Sequence, residues 1–133
     1  MREGALLLGR FGVAGLVNTA VGFAVIVMLD PGLHAPPALA NALGYGAGMG
    51  VGFLLNRAFV FRSRTGLAAS GGRYAIAALG AFALNQAVLR AAGLILGGGA
   101  LAHVAAQLAA MAAYTAALFM LCRLWVFPPL PAA

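Results

Sequence analysis

Two short stretches set a polar side chain beside an arginine and follow it with aromatics: Asn56-Arg57-Ala58-Phe59-Val60-Phe61 and Cys122-Arg123-Leu124-Trp125-Val126-Phe127. A guanidinium stays charged and forks onto phosphate oxygens, so Arg57 and Arg123 are candidates for holding an anionic headgroup, with Asn56 beside the first. Each reads equally as an anchor that snorkels to the interface and favours a helix C-terminus. Arg10 and Arg73 also precede aromatics, Phe11 and Tyr74. At an expected helix N-terminus they oppose the macrodipole, at a cost of about 0.3–1 kcal/mol. A topology signal accounts for that, and so does an anion held between guanidinium and free backbone N–H groups.

A second set of polar groups lies inside apolar runs: Asn18, Thr19, Asn41, Asn85, Gln86 and Gln107. Facing lipid they are costly, so they should face protein or a wet cavity, either as interhelical hydrogen bonds or as a polar path. Gly44, Gly48, Gly52 and Asn56 recur at i+4 and lead to Arg57. That stripe suits close helix packing, or a groove for a lipid chain. Arg90 lies 17 residues after Arg73, about 25 Å along a helix. Asp30 is the one carboxylate expected at its level. No carboxylate is expected at mid-membrane, and there is no His/Cys ligand cluster or nucleophile–base pair. Neither catalysis nor a metal or other cofactor is expected.

The elements that must position these residues follow from composition. The chain has 133 residues, 64% hydrophobic and 8% charged, with a mean hydropathy of +1.02. A soluble domain carries about 25% charged residues, so the expectation is an all-α integral membrane protein. Its net charge of +6, from eight Arg and no Lys against Glu3 and Asp30, reports orientation and anionic lipid more than nucleic acid. Four helices are predicted, over about residues 10–29, 38–61, 73–96 and 101–127, in a single membrane domain. Asp30-Pro31-Gly32 should turn the first pair, Pro36-Pro37 should open helix 2, and Gly97-Gly98-Gly99 should break helices 3 and 4. The apolar run from Phe11 is too long for the core of a cleaved signal peptide, so it is read as a retained helix.

Seven arginines (2, 10, 57, 62, 64, 73 and 123) fall on one side and Arg90 on the other. Both termini and the middle loop are therefore expected in the cytoplasm. Phe53–Phe61 aligns with Phe119–Phe127 at an offset of 66, with five identities, and Arg10-Phe11 aligns with Arg73-Tyr74 at an offset of 63. Each half is then a two-helix hairpin, and the pair forms a parallel repeat. The lone Cys122 cannot form an internal disulfide. Four helices enclose little space, so a homo-oligomer or an obligatory partner is expected, with the Gly44/Gly48/Gly52 stripe as its contact face.

These pieces resemble the GtrA-like family of small membrane proteins. The likeness rests on Arg10-Phe11 with Gly15, Asn18 and Thr19; on Ala40-Asn41; on Phe53-x-x-Asn56-Arg57-x-Phe59-Val60-Phe61; on Arg73-Tyr74 with Gly80 and Asn85; and on Arg123-x-Trp125-Val126-Phe127. Cys122 departs from it, standing where the pattern often has Asn, so the second repeat carries Cys-Arg in place of Asn-Arg. The resemblance implies four helices in the cytoplasmic membrane and translocation of a polyprenyl-phosphate-linked sugar for surface polysaccharide synthesis. On that reading Arg57, Asn56, Arg10, Arg73 and Arg123 serve the lipid phosphate. Asn18, Thr19, Asn41, Asn85, Gln86, Gln107 and Arg90 line the route. Two other classes stay open: a non-transporting anchor that recruits a membrane glycosyltransferase, and a small multidrug-type exporter. The exporter is weakened by the lack of a membrane carboxylate in helix 1.

Overall fold

The computed structural model describes residues 2–29 and 34–129, with Pro37 described by its backbone alone. All regular structure among them is helical: α1 (Arg2–Val27), α2 (Pro37–Leu55), α3 (Leu67–Leu96) and α4 (Ala100–Leu121). α2 and α4 each run on into one wider π-helical turn, Asn56–Val60 and Cys122–Val126. All four helices are long and apolar enough to cross a membrane. The chain is thus an all-α protein of four membrane-spanning helices. It divides into two compact units, residues 1–64 and 65–133. Each is a helical hairpin, α1 on α2 and α3 on α4.

Two helices start earlier than their hydropathy suggests. α1 begins at Arg2, not near Arg10, because Ala5, Leu6, Leu7 and Leu8 are good helix formers and outweigh the weak helix formers Gly4 and Gly9 on either side of them. α3 begins at Leu67, inside the stretch expected to be a polar loop. Its Ser70 hydroxyl donates to the Gly66 carbonyl at 2.7 Å, which satisfies the side chain within the first turn. Ser70 is buried, and this bond leaves its hydroxyl satisfied there. At 1.5 Å per residue the 26 residues of α1 span about 39 Å, more than the hydrocarbon thickness of about 30 Å.

In the first hairpin the glycines of α2 let α1 approach closely. A Cβ on Gly48 would lie 2.6 Å from Asn18 Oδ1, and one on Gly44 would lie 2.8 Å from the Gly22 carbonyl oxygen and against Ile26. Gly44 and Gly48 are therefore used inside the chain, on α1. They are not an open face for a second copy, nor a groove for a lipid chain. An i+4 stripe specifies close packing without naming the partner helix. Gly46 and Gly50, on the other face of α2, have open space around them.

The second hairpin uses alanine in place of glycine. Ala77, Ala78 and Ala81 of α3 and Ala106 and Ala110 of α4 are buried. Its connection is Gly97-Gly98-Gly99, with φ of 73° at Gly97 and 136° at Gly99. Those angles lie where a Cβ is disfavoured, so glycine allows a three-residue turn. α2 opens at Pro37, and the N–H groups of Leu39 and Ala40 donate to the Pro36 carbonyl. Asp30-Pro31-Gly32, the expected turn of the first hairpin, lies outside the described residues.

Candidate functional site

The chemistry-bearing residues of each hairpin gather at the π turn. In the first hairpin the Phe61 N–H donates to the Asn56 carbonyl at 2.9 Å, and the Ser63 N–H donates to the Arg57 carbonyl at 2.8 Å. The chain then turns away through Arg62 at φ 47°, a left-handed residue in the position that usually ends a helix. In the second hairpin the Phe127 N–H donates to the Cys122 carbonyl at 2.8 Å. π turns are rare and cluster at functional sites. Here one stands at the same place in both repeats, holding Arg57 in one and Arg123 in the other.

α1 delivers Arg10 to the first of these turns. Its guanidinium carbon lies 5.6 Å from the centroid of the Phe59 ring, within cation–π range. One residue on, Phe11 is buried and meets Phe61 edge to face, with centroids 6.5 Å apart. α3 does the same for the second turn. Arg73 Nη1 donates to the Trp125 carbonyl at 3.4 Å, and Tyr74 and Phe127 are both buried. Each hairpin thus brings one arginine from its first helix to the turn that carries its second. The candidates fall into two sets, Arg10 on the turn that carries Arg57 and Arg73 on the turn that carries Arg123.

The helix starts correct one expectation. Arg10 and Arg73 stand inside α1 and α3, eight and six residues after the first residues Arg2 and Leu67. Their backbone N–H groups belong to the helical ladder, and an anion held by free N–H groups at these positions is excluded. Their guanidinium groups alone remain available to a phosphate.

Asn56 is the most constrained polar group. It is 4% exposed, and its Nδ2 donates to the Gly52 carbonyl at 2.7 Å. Its Oδ1 is enclosed without a hydrogen-bond partner among the described residues, a cost of about 1–3 kcal/mol. An unpaired amide oxygen repels phosphate and suits a hydroxyl donor. Cys122 occupies the equivalent place and is fully buried, so the two turns differ in polarity where they match in backbone.

A model of the GtrA/DPMS transmembrane-domain family matches residues 10–127. The chain belongs to that family. At family level, membership supports a role in the translocation of glycosyl-phosphoprenol-linked sugars. No curated protein and no solved structure matches the chain.

The remaining polar residues of this GtrA/DPMS protein do not form one lined path within either hairpin. Asn18 is half-buried against Gly48. Thr19 is exposed, and its hydroxyl donates to the Gly15 carbonyl at 2.9 Å, so it needs no other partner. Gln86 Nε2 donates to Asn85 Oδ1 at 3.2 Å, both side chains half-buried. Asn41, Gln107 and Arg90 are exposed. A two-helix hairpin has a single seam, and Thr19, Asn41 and Gln107 face away from the seam of their own hairpin. Asp30, the expected partner of Arg90, lies outside the described residues. No local residue pattern announces the π turns, the Phe11–Phe61 pair or the burial of Asn56. The repeat, which marks residues 53–61 and 119–127 as a unit, was the one sequence signal for them.

Proposed function

We propose that this chain moves a polyprenyl-phosphate-linked sugar from the cytoplasmic to the outer leaflet of the cytoplasmic membrane, for surface polysaccharide synthesis, with no bond made or broken. Family membership supports the cargo class. The observation that carries the reading is the arrangement at each π turn, where Arg10 is held at the turn of Arg57 and Arg73 at the turn of Arg123. A phosphodiester needs fixed, permanently charged donors, and guanidinium supplies them at interfacial depth. Arg57 is the primary ligand, and Arg10, Arg73 and Arg123 support it. Asn56 serves a sugar hydroxyl through its unpaired Oδ1.

Asn41 and Gln107 lie at corresponding repeat positions and are exposed. Exposed amides at membrane depth favour a second copy or a partner protein against them. The homo-oligomer is therefore argued from these amides, with a membrane glycosyltransferase as the alternative partner. Together with Asn18, Thr19, Asn85, Gln86 and Arg90 they offer hydrogen bonds to the headgroup as it crosses.

The test is flipping of a fluorescent polyprenyl-phosphate sugar in proteoliposomes. Arg57→Lys should lose part of the rate, since charge survives and the fork does not, and Arg57→Gln should lose more. If both variants flip at the wild-type rate, Arg57 is an anchor and the site fails. A wild-type protein that flips nothing but co-purifies with a glycosyltransferase would favour the recruiting role.

A further inference from the structure

α1 continues beyond the π turn it packs on, and its first turns carry a surface that shares Arg10 and Phe59 with the proposed cargo site and adds Arg2, Leu6, Gly9 and Val13. A shallow, open trough of about 640 Å³ runs along this part of α1, lined by Arg2, Leu6, Gly9, Arg10 and Val13 together with Phe59. The two arginines are eight residues apart in the same helix, about 12 Å along its axis. A run of 20 residues back from Val27, about 30 Å, reaches the neighbourhood of Arg10. Arg10 then sits at the edge of the hydrocarbon and Arg2 in the headgroup layer, so a lipid phosphate falls between them. The space beside Gly9 is open, since a Cβ there would meet nothing within 4 Å.

We propose that this trough is a binding site for an anionic glycerophospholipid of the surrounding bilayer. Its phosphate lies between Arg2 and Arg10, and one acyl chain runs over Gly9 toward Val13 against Phe59. The lining decides between this occupant and the sugar-bearing cargo. It offers two cations and apolar surface, with no amide, hydroxyl or carboxylate to recognise a sugar, whereas a phospholipid asks for nothing else. Leu6 and Val13, 65% and 52% exposed, supply the apolar contact. The inference shares Arg10 with the proposed cargo site but has its own readout, so retention of phosphatidylglycerol and flipping of the cargo can fail separately.

The test uses the full chain, in nanodiscs of phosphatidylcholine doped with phosphatidylglycerol. Native mass spectrometry counts the phosphatidylglycerol that stays bound on release. Wild type should retain it. Gly9→Leu should lose it by filling the trough with both arginines intact. Gly12→Leu, at a glycine equally open but outside the trough, should retain it. Arg2→Gln and Arg10→Gln should each weaken retention about fivefold, the equivalent of about 1 kcal/mol per basic residue at an anionic surface. Equal retention by Gly9→Leu and wild type would overturn the proposal. So would one-for-one displacement of phosphatidylglycerol by an added polyprenyl monophosphate, which would make the trough a cargo site.

Discussion

Arg10 and Phe59, 49 positions apart in sequence, meet as a cation over a ring at 5.6 Å, and the residues that repeat them, Arg73 and Trp125, meet through a hydrogen bond. The same two positions are tied in both hairpins by different chemistry. What the repeats share is therefore the placement of an arginine on the π turn, not the particular contact. Phe59→Leu keeps the bulk and removes the π face, worth about 0.5–1 kcal/mol at an exposed site. It should slow flipping about two- to fivefold at an unchanged protein level, and Phe59→Tyr should not. Equal rates for the Leu, Tyr and wild-type proteins would show that the ring does not position Arg10.

The difference between Asn56 and Cys122 gives a sharper substitution. Asn56→Cys installs the residue the second turn already uses at that place. It removes an enclosed oxygen with no partner, and with it the bond to the Gly52 carbonyl. The two losses offset, so thermal stability in detergent should change by less than about 1 kcal/mol. Flipping should fall if Oδ1 receives a sugar hydroxyl. A variant that is as stable and as active as wild type would remove Asn56 from the site.

The glycines of α2 separate packing from propensity. Gly44→Ala forces a Cβ against Ile26 and to 2.8 Å from a backbone oxygen, whereas Gly46→Ala meets nothing. The first should destabilise the hairpin by about 1–3 kcal/mol, and the second should stabilise α2 by up to about 1 kcal/mol. Denaturation monitored by circular dichroism in mixed micelles checks the order. Similar effects from both would show that α1 and α2 do not approach as closely as described.

Much of this was legible in the residues. Long apolar runs, the Pro36-Pro37 opening, the triple-glycine break and the doubled Arg-aromatic motif predict four helices in two hairpins. The Gly44/Gly48 stripe announces close packing, but an i+4 pattern does not say whether its partner is α1 or another chain. Arg10 reads as a helix start because hydropathy drops there. Helix propensity does not, and Leu6 to Leu8 carry α1 on to Arg2. The π turns have no residue signature of their own. Asn-Arg-Ala-Phe-Val and Cys-Arg-Leu-Trp-Val differ at three of five positions and adopt the same backbone; the two residues they share, an arginine and a buried valine, are too common to mark a π turn.

Orientation is tested on the loop between the hairpins. The seven-to-one arginine split predicts a cytoplasmic loop. Ser70 is unsuited to accessibility labelling because it is buried, and a failure there would report packing. Ala68 is exposed at the start of α3, and the native Cys122 is buried. Ala68→Cys should resist a membrane-impermeant maleimide in intact cells and react after permeabilisation. Reaction in intact cells would invert the topology and every role drawn from it.

The last prediction concerns what drives the crossing. The proposed cargo is a phosphodiester with one negative charge. Moving it outward from an inside-negative cell is downhill by about 2.3 kcal/mol per 100 mV if the charge crosses the whole field. The groups along the proposed route, Asn18, Asn41, Asn85, Gln86 and Gln107, replace water without carrying a proton, and Arg90 can receive the phosphate on the far side. Among the described residues no three His, Cys, Asp or Glu side chains gather as a cluster. Coupling to protons or sodium requires an ionisable or ion-binding group that alternates between the two sides, and the sequence offers no carboxylate near mid-membrane. In proteoliposomes, collapsing a pH gradient at fixed voltage should therefore leave the flipping rate unchanged. Reversing the voltage should slow outward movement, because the same charge then climbs the field. A rate that follows the pH gradient and ignores the voltage would refute the uncoupled mechanism while leaving the arginine site intact.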